Sequence, residues 1–309
     1  MHTMLRPLSA IHPLQDPILV AGFADSAGTT AAATVAYLVE HWDATLLAEI
    51  DPEEFFDFTV WRPSVRLENG EPALQWPTSR LYVARPAGAA RDVVLLAGIE
   101  PHLRWRTFCE VIASFMRAVG ATTSLLLSSH PGTTPHTRPV PVRLFASDET
   151  YARTFGLEPT TATHEGPTGI VGALTVQQRA QGFCTAILST LTPYYVPREQ
   201  NPHAMIALVE AIDRSLGTAS PLAALREHAA TLDREAAQAV RQSEPLRTVV
   251  QALEQQFDGI RGATATLPAP SQTASDLPSS DEVIAEIEQF LRQQRGPGAS
   301  GPDGNTTLR

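Results

Sequence analysis

Pro17-Ile-Leu-Val-Ala-Gly-Phe23, with the turn Ala24–Gly28, Thr29–Trp42 and Asp43–Ile50 behind it, is the stretch whose reading decides the fold. Its first seven residues are a continuous apolar run of strand length, which predicts a buried strand. Thr29–Trp42 is rich in Ala, Val and Leu and predicts a helix, and Asp43–Ile50 predicts a second strand. A strand, a helix and a strand on connections this short form a βαβ opening, the signature of a parallel sheet.

The same alternation runs outward from there. Asp92–Gly98 predicts another buried strand, and Arg104–Val119 a helix with Phe108, Ile112 and Phe115 on one face, ended by Gly120. Ala121–Ser128 is a strand that feeds the loop Ser129–Pro139, which carries His130, His136, Arg138 and three prolines. Short strands at Val140–Ala146 and Glu158–Thr163 flank a helix at Glu149–Phe155. A helix at Thr168–Gly182, a strand at Thr185–Leu191 and a helix at Pro202–Leu216 follow. Between the opening and Asp92 the texture differs. Phe58–Leu67 and Glu71–Trp76 flank Asn69-Gly70, a strong hairpin signal, and Arg80–Arg85 is a third extended piece. Phe58–Arg85 therefore reads as a β-hairpin excursion. Its Trp61, Val65, Leu67, Leu74 and Trp76 call for a partner surface or for packing on their own domain.

Past Thr218 the pattern turns helical. Ser220-Pro221 places an N-cap before a first-turn proline. Leu222, Leu225, Ala229, Leu232, Ala236 and Ala239 then recur at three- and four-residue steps. Pro245 restarts a helix with Leu246, Val249, Leu253 and Phe257 on one face. The expected division is an α/β core at 1–218 with the hairpin insertion at 58–85, and a helical hairpin at 219–258 packed on the core. Beyond it come a disordered linker at 259–280, a short amphipathic helix at 281–295 opened by the capping box Ser279–Glu282, and a disordered tail at 296–309.

Bulk properties bound the function. Of 309 residues 43% are hydrophobic and 18% charged, which is a globular balance. Lys and Arg total 23 against 33 Asp and Glu, a formal charge of -10 with no basic stripe, so nucleic acid and anionic membranes are poor partners. Cys109 and Cys184 lie in apolar runs, as reduced, buried thiols do. No apolar span has membrane length and Met1–Pro17 has no signal-like core, so a cytoplasmic protein is expected.

The motifs narrow the chemistry further. Gly22–Thr30 sits at a strand-to-helix turn, where Ser26 and Gly28 can hold an anion on backbone N–H groups or simply shape the turn. It is not a P-loop, because the spacing is one residue too long and the lysine is missing. Glu165–Gly172 spaces its glycines as Gly-x-x-Gly-x-x-Gly. Gly166 and Gly169 can form an anion nest or admit a close helix, and Thr168 lies between them. Glu100, after a strand, can serve as a base or cap the helix starting near Arg104. Arg138 can grip a carboxylate or phosphate, or pair with Glu100 or Glu165. His130 and His136 lack zinc spacing, so no metal is expected, and no cofactor. No G-x-S-x-G elbow is present.

Pro135-His136-Thr137-Arg138-Pro139 occurs in an ordered set with Arg62-Pro63, Trp76-Pro77, Gly98-Ile99-Glu100-Pro101, Trp105, Glu165–Ile170 and Asn201-Pro202-His203-Ala204. The set resembles the proteasome assembly chaperone type 2 family, above all its actinobacterial branch, from about Pro17 to Phe257. The resemblance implies a three-layer α/β/α sandwich like the purine nucleoside phosphorylase and hydrolase core. It also implies a helical C-terminal addition and a homo-oligomer, a trimer in which the hairpin excursion supplies contacts. It further implies proteasome core subunits as a partner. The family's eukaryotic chaperones dock by a hydrophobic–Tyr–any-residue tail, from which Thr306-Thr307-Leu308-Arg309 departs. The expected function is a non-enzymatic oligomeric binding or assembly factor. The alternative is an enzyme or sensor of a small anionic or nucleoside-like molecule, with Glu100, His136, Arg138, Glu165 and Thr168 lining a pocket at the strand carboxyl ends.

Overall fold

β2 (Ile18–Ala24) is buried at every position because it lies in the middle of the sheet, covered on both faces. In the computed structural model, which describes residues 2–196 and 199–262, eight strands form one sheet. The other seven are β1 (Leu5–Pro7), β3 (Thr45–Ile50), β6 (Ser79–Ala84), β7 (Val93–Ile99), β8 (Thr123–Gly132), β9 (Val142–Ala146) and β10 (Cys184–Pro193). Their order is β1-β3-β6-β7-β2-β8-β10-β9. The central β7, β2, β8 and β10 are parallel, while β1, β6 and β9 run antiparallel to their neighbours. The sheet is therefore mixed, not the parallel sheet the opening suggested. β3 does not pair with β2: β6 and β7 lie between them.

Strand alternation sorts the core into two layers. Leu19, Ala21, Phe23, Val94, Leu96 and Leu126 face one side, against α2 (Trp105–Val119) and α4 (Ile170–Ala180). Ile18, Val20, Val93, Leu95, Leu125 and Leu127 face the other, against α1 (Thr30–His41), α3 (Glu149–Arg153) and α5 (Pro202–Leu216). A period of two along each central strand is what a sheet covered on both faces requires. Helix ends follow local chemistry. Gly120, at φ 82°, terminates α2 in the left-handed region. Asn201 caps α5, its side-chain oxygen accepting the Ala204 N–H at 3.1 Å, ahead of Pro202 in the first turn.

The excursion is smaller than expected. β4 (Ser64–Glu68) and β5 (Glu71–Gln75) form a separate two-stranded ribbon, turned at Asn69 and Gly70, both at positive φ. Arg80–Arg85 does not belong to it: β6 is a full member of the central sheet, paired to β3 and β7. Glu158–Thr163 forms no strand; Pro159 makes one bridge to Leu144. β8 runs on to Gly132, so the first residues of the Ser129–Pro139 loop are strand.

Ser220 does not cap a helix. Its hydroxyl donates to Asp213 Oδ1 at 2.9 Å and accepts the Trp42 indole N–H at 3.1 Å. α6 (Ala223–Gln242) starts after Leu222 instead. Leu225, Ala229, Leu232 and Ala236 of α6 are buried, and α7 (Glu244–Gly262) follows after a single residue. Residues 259–262 thus lie in a helix and not in a linker. The expected linker beyond them, the helix at 281–295 and the tail at 296–309 lie outside the described residues.

Candidate functional site

Because β7, β2, β8 and β10 are parallel, the loops after them share one edge of the sheet, the place where open α/β folds hold ligands. Glu100 follows β7, Ser26 and Gly28 follow β2, His136 and Arg138 follow β8, and Tyr194 and Tyr195 follow β10.

The turn after β2 already contains its own acceptors. The Ala27 N–H donates to Asp25 Oδ1 at 2.8 Å, and the Gly28 N–H donates to the Asp25 carbonyl at 3.1 Å. The Thr29 N–H and hydroxyl both donate to the Glu199 carbonyl, at 2.7 and 3.0 Å. Ser26 is exposed at the tip. Gly28, at φ 136°, leaves no room for a side chain against the Glu199 carbonyl.

The N-terminus of α4 is filled in the same manner. Glu100 Oε1 accepts the Ile170 N–H at 2.7 Å. The capping role open to Glu100 in the sequence falls on this helix, 70 residues away, and not on the one beginning near Arg104. A side chain at Gly169, the N-cap, would meet the Glu100 carboxylate at 2.9 Å. Thr168 lies over Gly172, while Gly166 and Glu165 are exposed in the preceding loop. Glu100→Ala is expected to cost about 1 kcal/mol, the usual price of a lost cap. Glu100→Gln, which keeps an oxygen acceptor, is expected to cost less. Urea unfolding curves of the two variants check the order.

His136 and Arg138 form a second group. The His136 N–H donates to the Tyr195 hydroxyl at 2.8 Å, and Nδ1 lies 2.7 Å from the same oxygen. Burial holds the imidazole below its usual pKa and His203 adds to this, while the Asp233 and Glu254 charges oppose it. Burial likewise pushes the Tyr195 hydroxyl up. Arg138 is committed to α7: it forks onto Asp258 at 2.9 and 2.7 Å and reaches Glu254 at 3.2 Å. Those hydrogen bonds, chiefly the one to Asp258, raise its pKa further. His203 pairs with Asp233 at 2.7 Å, joining α5 to α6. His136, Arg138, Asn201, His203 and Asp233 line a cavity of about 10 Å³, room for roughly one water.

Among the described residues no hydrogen bond or ion pair joins Glu100, Glu165 or Thr168 to His136 or Arg138. The residues that surround the second group, Tyr195, His203, Asp233, Glu254 and Asp258, were not singled out from the sequence as a site. The one available signal was Asn201-Pro202-His203, a capped helix start that aims its first turn at this edge. Among the described residues no cluster of His, Cys, Asp or Glu is placed to hold a metal, and no helix is long and apolar enough to cross a membrane. Burial, then the Glu110 charge, pushes the Cys109 thiol up to about 11.

A different feature stands out on the surface. Cross-strand pairing sets Val65 opposite Leu74 and Leu67 opposite Pro72, on one face of the β4–β5 ribbon. Val65, Leu67 and Leu74 are 65, 72 and 56% exposed. Val60, Trp61 and Trp76, which flank the ribbon in sequence, are exposed as well, and Trp76 packs on Phe58 at 4.8 Å. Val65, Leu67 and Leu74 thus form an exposed apolar face on the ribbon.

The fold is that of a mixed-sheet α/β protein, and among the described residues it exposes an apolar face on the β4–β5 ribbon. Residues 19–240 match the model of the PAC2 family, and the chain belongs to that family. It is 39% identical to a PAC2 family protein from Streptomyces avermitilis, over 72% of this chain and 95% of that one, with a TM-score of 0.68. It is 37% identical to a proteasome-assembly chaperone homologue from Mycobacterium tuberculosis, over 75% and 99%, with a TM-score of 0.67. A Pyrococcus furiosus archaeal proteasome activator shares the fold at 15% identity and a TM-score of 0.59, over 78% and 98%. No curated protein matches the chain.

Proposed function

We propose that this protein is a non-enzymatic, homo-oligomeric binding and assembly factor of the proteasome-assembly-chaperone kind. It works in the cytoplasm on proteasome core subunits. The observation that carries this reading is the apolar face of the β4–β5 ribbon. A two-stranded ribbon is at best marginally stable alone in water, and this one leaves Val65, Leu67 and Leu74 in solvent. Burial against a second molecule would satisfy both conditions. The family membership and the chaperone homologue among its relatives support the choice of partner. The sheet edge supports it from the other side: its turn donors, its carboxylate and its arginine are already bonded within the chain. The phosphorylase-like layering then serves as a rigid frame for surfaces, and the trimer remains part of the proposal.

Native mass spectrometry tests both levels. The protein alone is expected to give a trimer, and with core-particle subunits a mixed complex at micromolar concentration. The double variant Val65→Asp/Leu74→Asp is expected to melt close to the native protein, since both positions are exposed. It is expected to lose at least tenfold in whichever association uses the ribbon. No complex with core subunits, together with no change in their assembly rate, would remove the proteasome role. A trimer untouched by the double variant would remove the ribbon from the oligomer.

A further inference from the structure

Where the centre of the sheet carries leucines, the end formed by β8, β10 and β9 carries a polar row. Pairing sets Ser128 of β8 opposite Ser189 of β10, and Ser189 opposite Arg143 of β9. Directly paired residues point to the same face, so the three stand in one line across three strands. Two residues back, Leu126 and Ile187 belong to the core layer under α2 and α4, which places the row on that face. His130, two residues beyond Ser128, shares the face, and its Nε2 lies 2.6 Å from Ser128 Oγ. At about 4.8 Å between strands, the row spans about 10 Å from Ser128 to Arg143, the scale of a small ligand with side chains around it.

Arg143 is the residue the fold leaves unanswered. Its Nε is buried and has no acceptor. Burial lowers its pKa, with no partner charge acting on it. Arg138, by contrast, is forked onto Asp258 and reaches Glu254. A partly buried cation with unused donors carries a desolvation cost that nothing within the chain offsets, and a native structure keeps such a group for a reason. The donors around it are free as well. Among the described residues no hydrogen bond engages the hydroxyl of Ser189, which is partly buried. The Ser128 hydroxyl hydrogen is free to donate whenever His130 carries a hydrogen on Nε2. No carboxylate belongs to the row.

We infer that Arg143, Ser189, Ser128 and His130 form a binding site for a phosphate group. A guanidinium offers paired, parallel donors to such a group, and the two hydroxyls and the imidazole add donors from the neighbouring strands. That is more than the two oxygens of a carboxylate use, and it matches a tetrahedral oxyanion. The exposed His130 leaves the row open to solvent. The phosphate can arrive free or on a small ester. Phe145, partly buried two residues beyond Arg143 on the same face, offers its ring to the organic part of an ester. The row lies toward the carboxyl ends of β8 and β10, where open α/β sheets hold ligands. It shares no residue with the β4–β5 ribbon, so it stands or falls independently of the assembly role.

Isothermal titration calorimetry of the full chain with inorganic phosphate, phenyl phosphate and acetate, at constant ionic strength, tests it. Phosphate is expected to fill one saturable site with a Kd between roughly micromolar and millimolar, since its few non-hydrogen atoms cap the affinity near the lower bound. Acetate is expected to bind at least tenfold more weakly. Phenyl phosphate binding more tightly than phosphate assigns the ester, and binding no more tightly assigns free phosphate; both uphold the site. Arg143→Met keeps the apolar stem and removes every donor. It is expected to weaken phosphate binding at least tenfold, the loss of charge-assisted hydrogen bonds. In phosphate-free buffer it is expected to melt at or above the native temperature, because it removes a desolvated cation that has no partner. Ser189→Ala is expected to weaken binding about fivefold, one hydrogen bond's worth, and decides the matter should the methionine variant fail to fold. No saturable phosphate binding up to about 20 mM would overturn the proposal. So would acetate binding as tightly as phosphate, or native affinity in the variant that decides.

Discussion

Phe108→Ala is expected to lower the free energy of unfolding by about 3–5 kcal/mol, the range for a large aromatic removed from a core that cannot collapse around the gap. Phe108 is fully buried in α2. Its ring meets Phe55 edge-on at 5.2 Å and Phe23 at 6.0 Å. Three elements thus converge on one side chain: the helix, the central strand β2 and the segment after β3. Such edge-to-face pairs contribute about 0.5–1.5 kcal/mol beyond the area they bury. Phe108→Leu keeps most of the volume and loses mainly that contribution, so it is expected to cost less. Denaturant unfolding by circular dichroism, with an unchanged m-value, separates the two variants. A loss below about 1 kcal/mol for the alanine variant would mean that α2 is not seated on this triad. The effect reaches the sheet edge as well. The Phe55 carbonyl accepts the His102 and Leu103 N–H groups at 2.9 and 3.1 Å, so the triad anchors the loop that begins at Glu100.

The sequence was readable where one element carries its own signal. Asn201–Leu216 has the cap, the first-turn proline and the apolar face of a helix in one continuous stretch, and α5 spans Pro202–Leu216. The step of three and four along Leu225, Ala229, Leu232 and Ala236 marks the buried face of α6 for the same reason. What escaped depends on partners far along the chain. β6 has the local pattern of any half-buried strand. Its antiparallel pairing with β3 and β7, and not its composition, takes it out of the hairpin and into the sheet. β1 is three residues at an edge with Leu5 alone buried, too short for a period to show. The same holds at the loops. Glu100 reveals its partner only when α4 is brought to it, and Arg138 only when α7 arrives from 116 and 120 residues away. Residue type suggested what these groups can bind; topology decided what each one does bind.

Gly22→Val is expected to destabilise by about 3 kcal/mol or more, at the upper end of what overpacking costs. In a strand this exchange normally favours folding, since valine fits a pleated, buried surface better than glycine. Here the sign inverts, and the reason is a close approach rather than a special backbone angle. A Cβ at position 22 would lie 2.3 Å from the Ala31 carbonyl oxygen, 2.7 Å from its carbon and 3.0 Å from Val35 Cγ2. Two of those three atoms are backbone and cannot rotate aside, so α1 as a whole must lift from β2. Val35 and Leu38, both fully buried, would lose their seat against the sheet. Lifting α1 also pulls on the turn bearing Ser26 and Gly28, because Thr29 holds the Glu199 carbonyl and the Thr30 hydroxyl accepts the Asn201 N–H at 3.0 Å. Asn201 in turn caps α5, whose His203 clips α6. One methyl-sized intrusion at β2 therefore loosens the whole carboxyl edge of the sheet. At about 2–4 °C per kcal/mol for a domain of this size, the melting temperature is expected to fall by roughly 6–12 °C. Gly22→Ala, which adds only the clashing atom, is expected to lie between the native protein and the valine variant. A valine variant melting within about 2 °C of native would show that α1 does not sit against β2 at this distance.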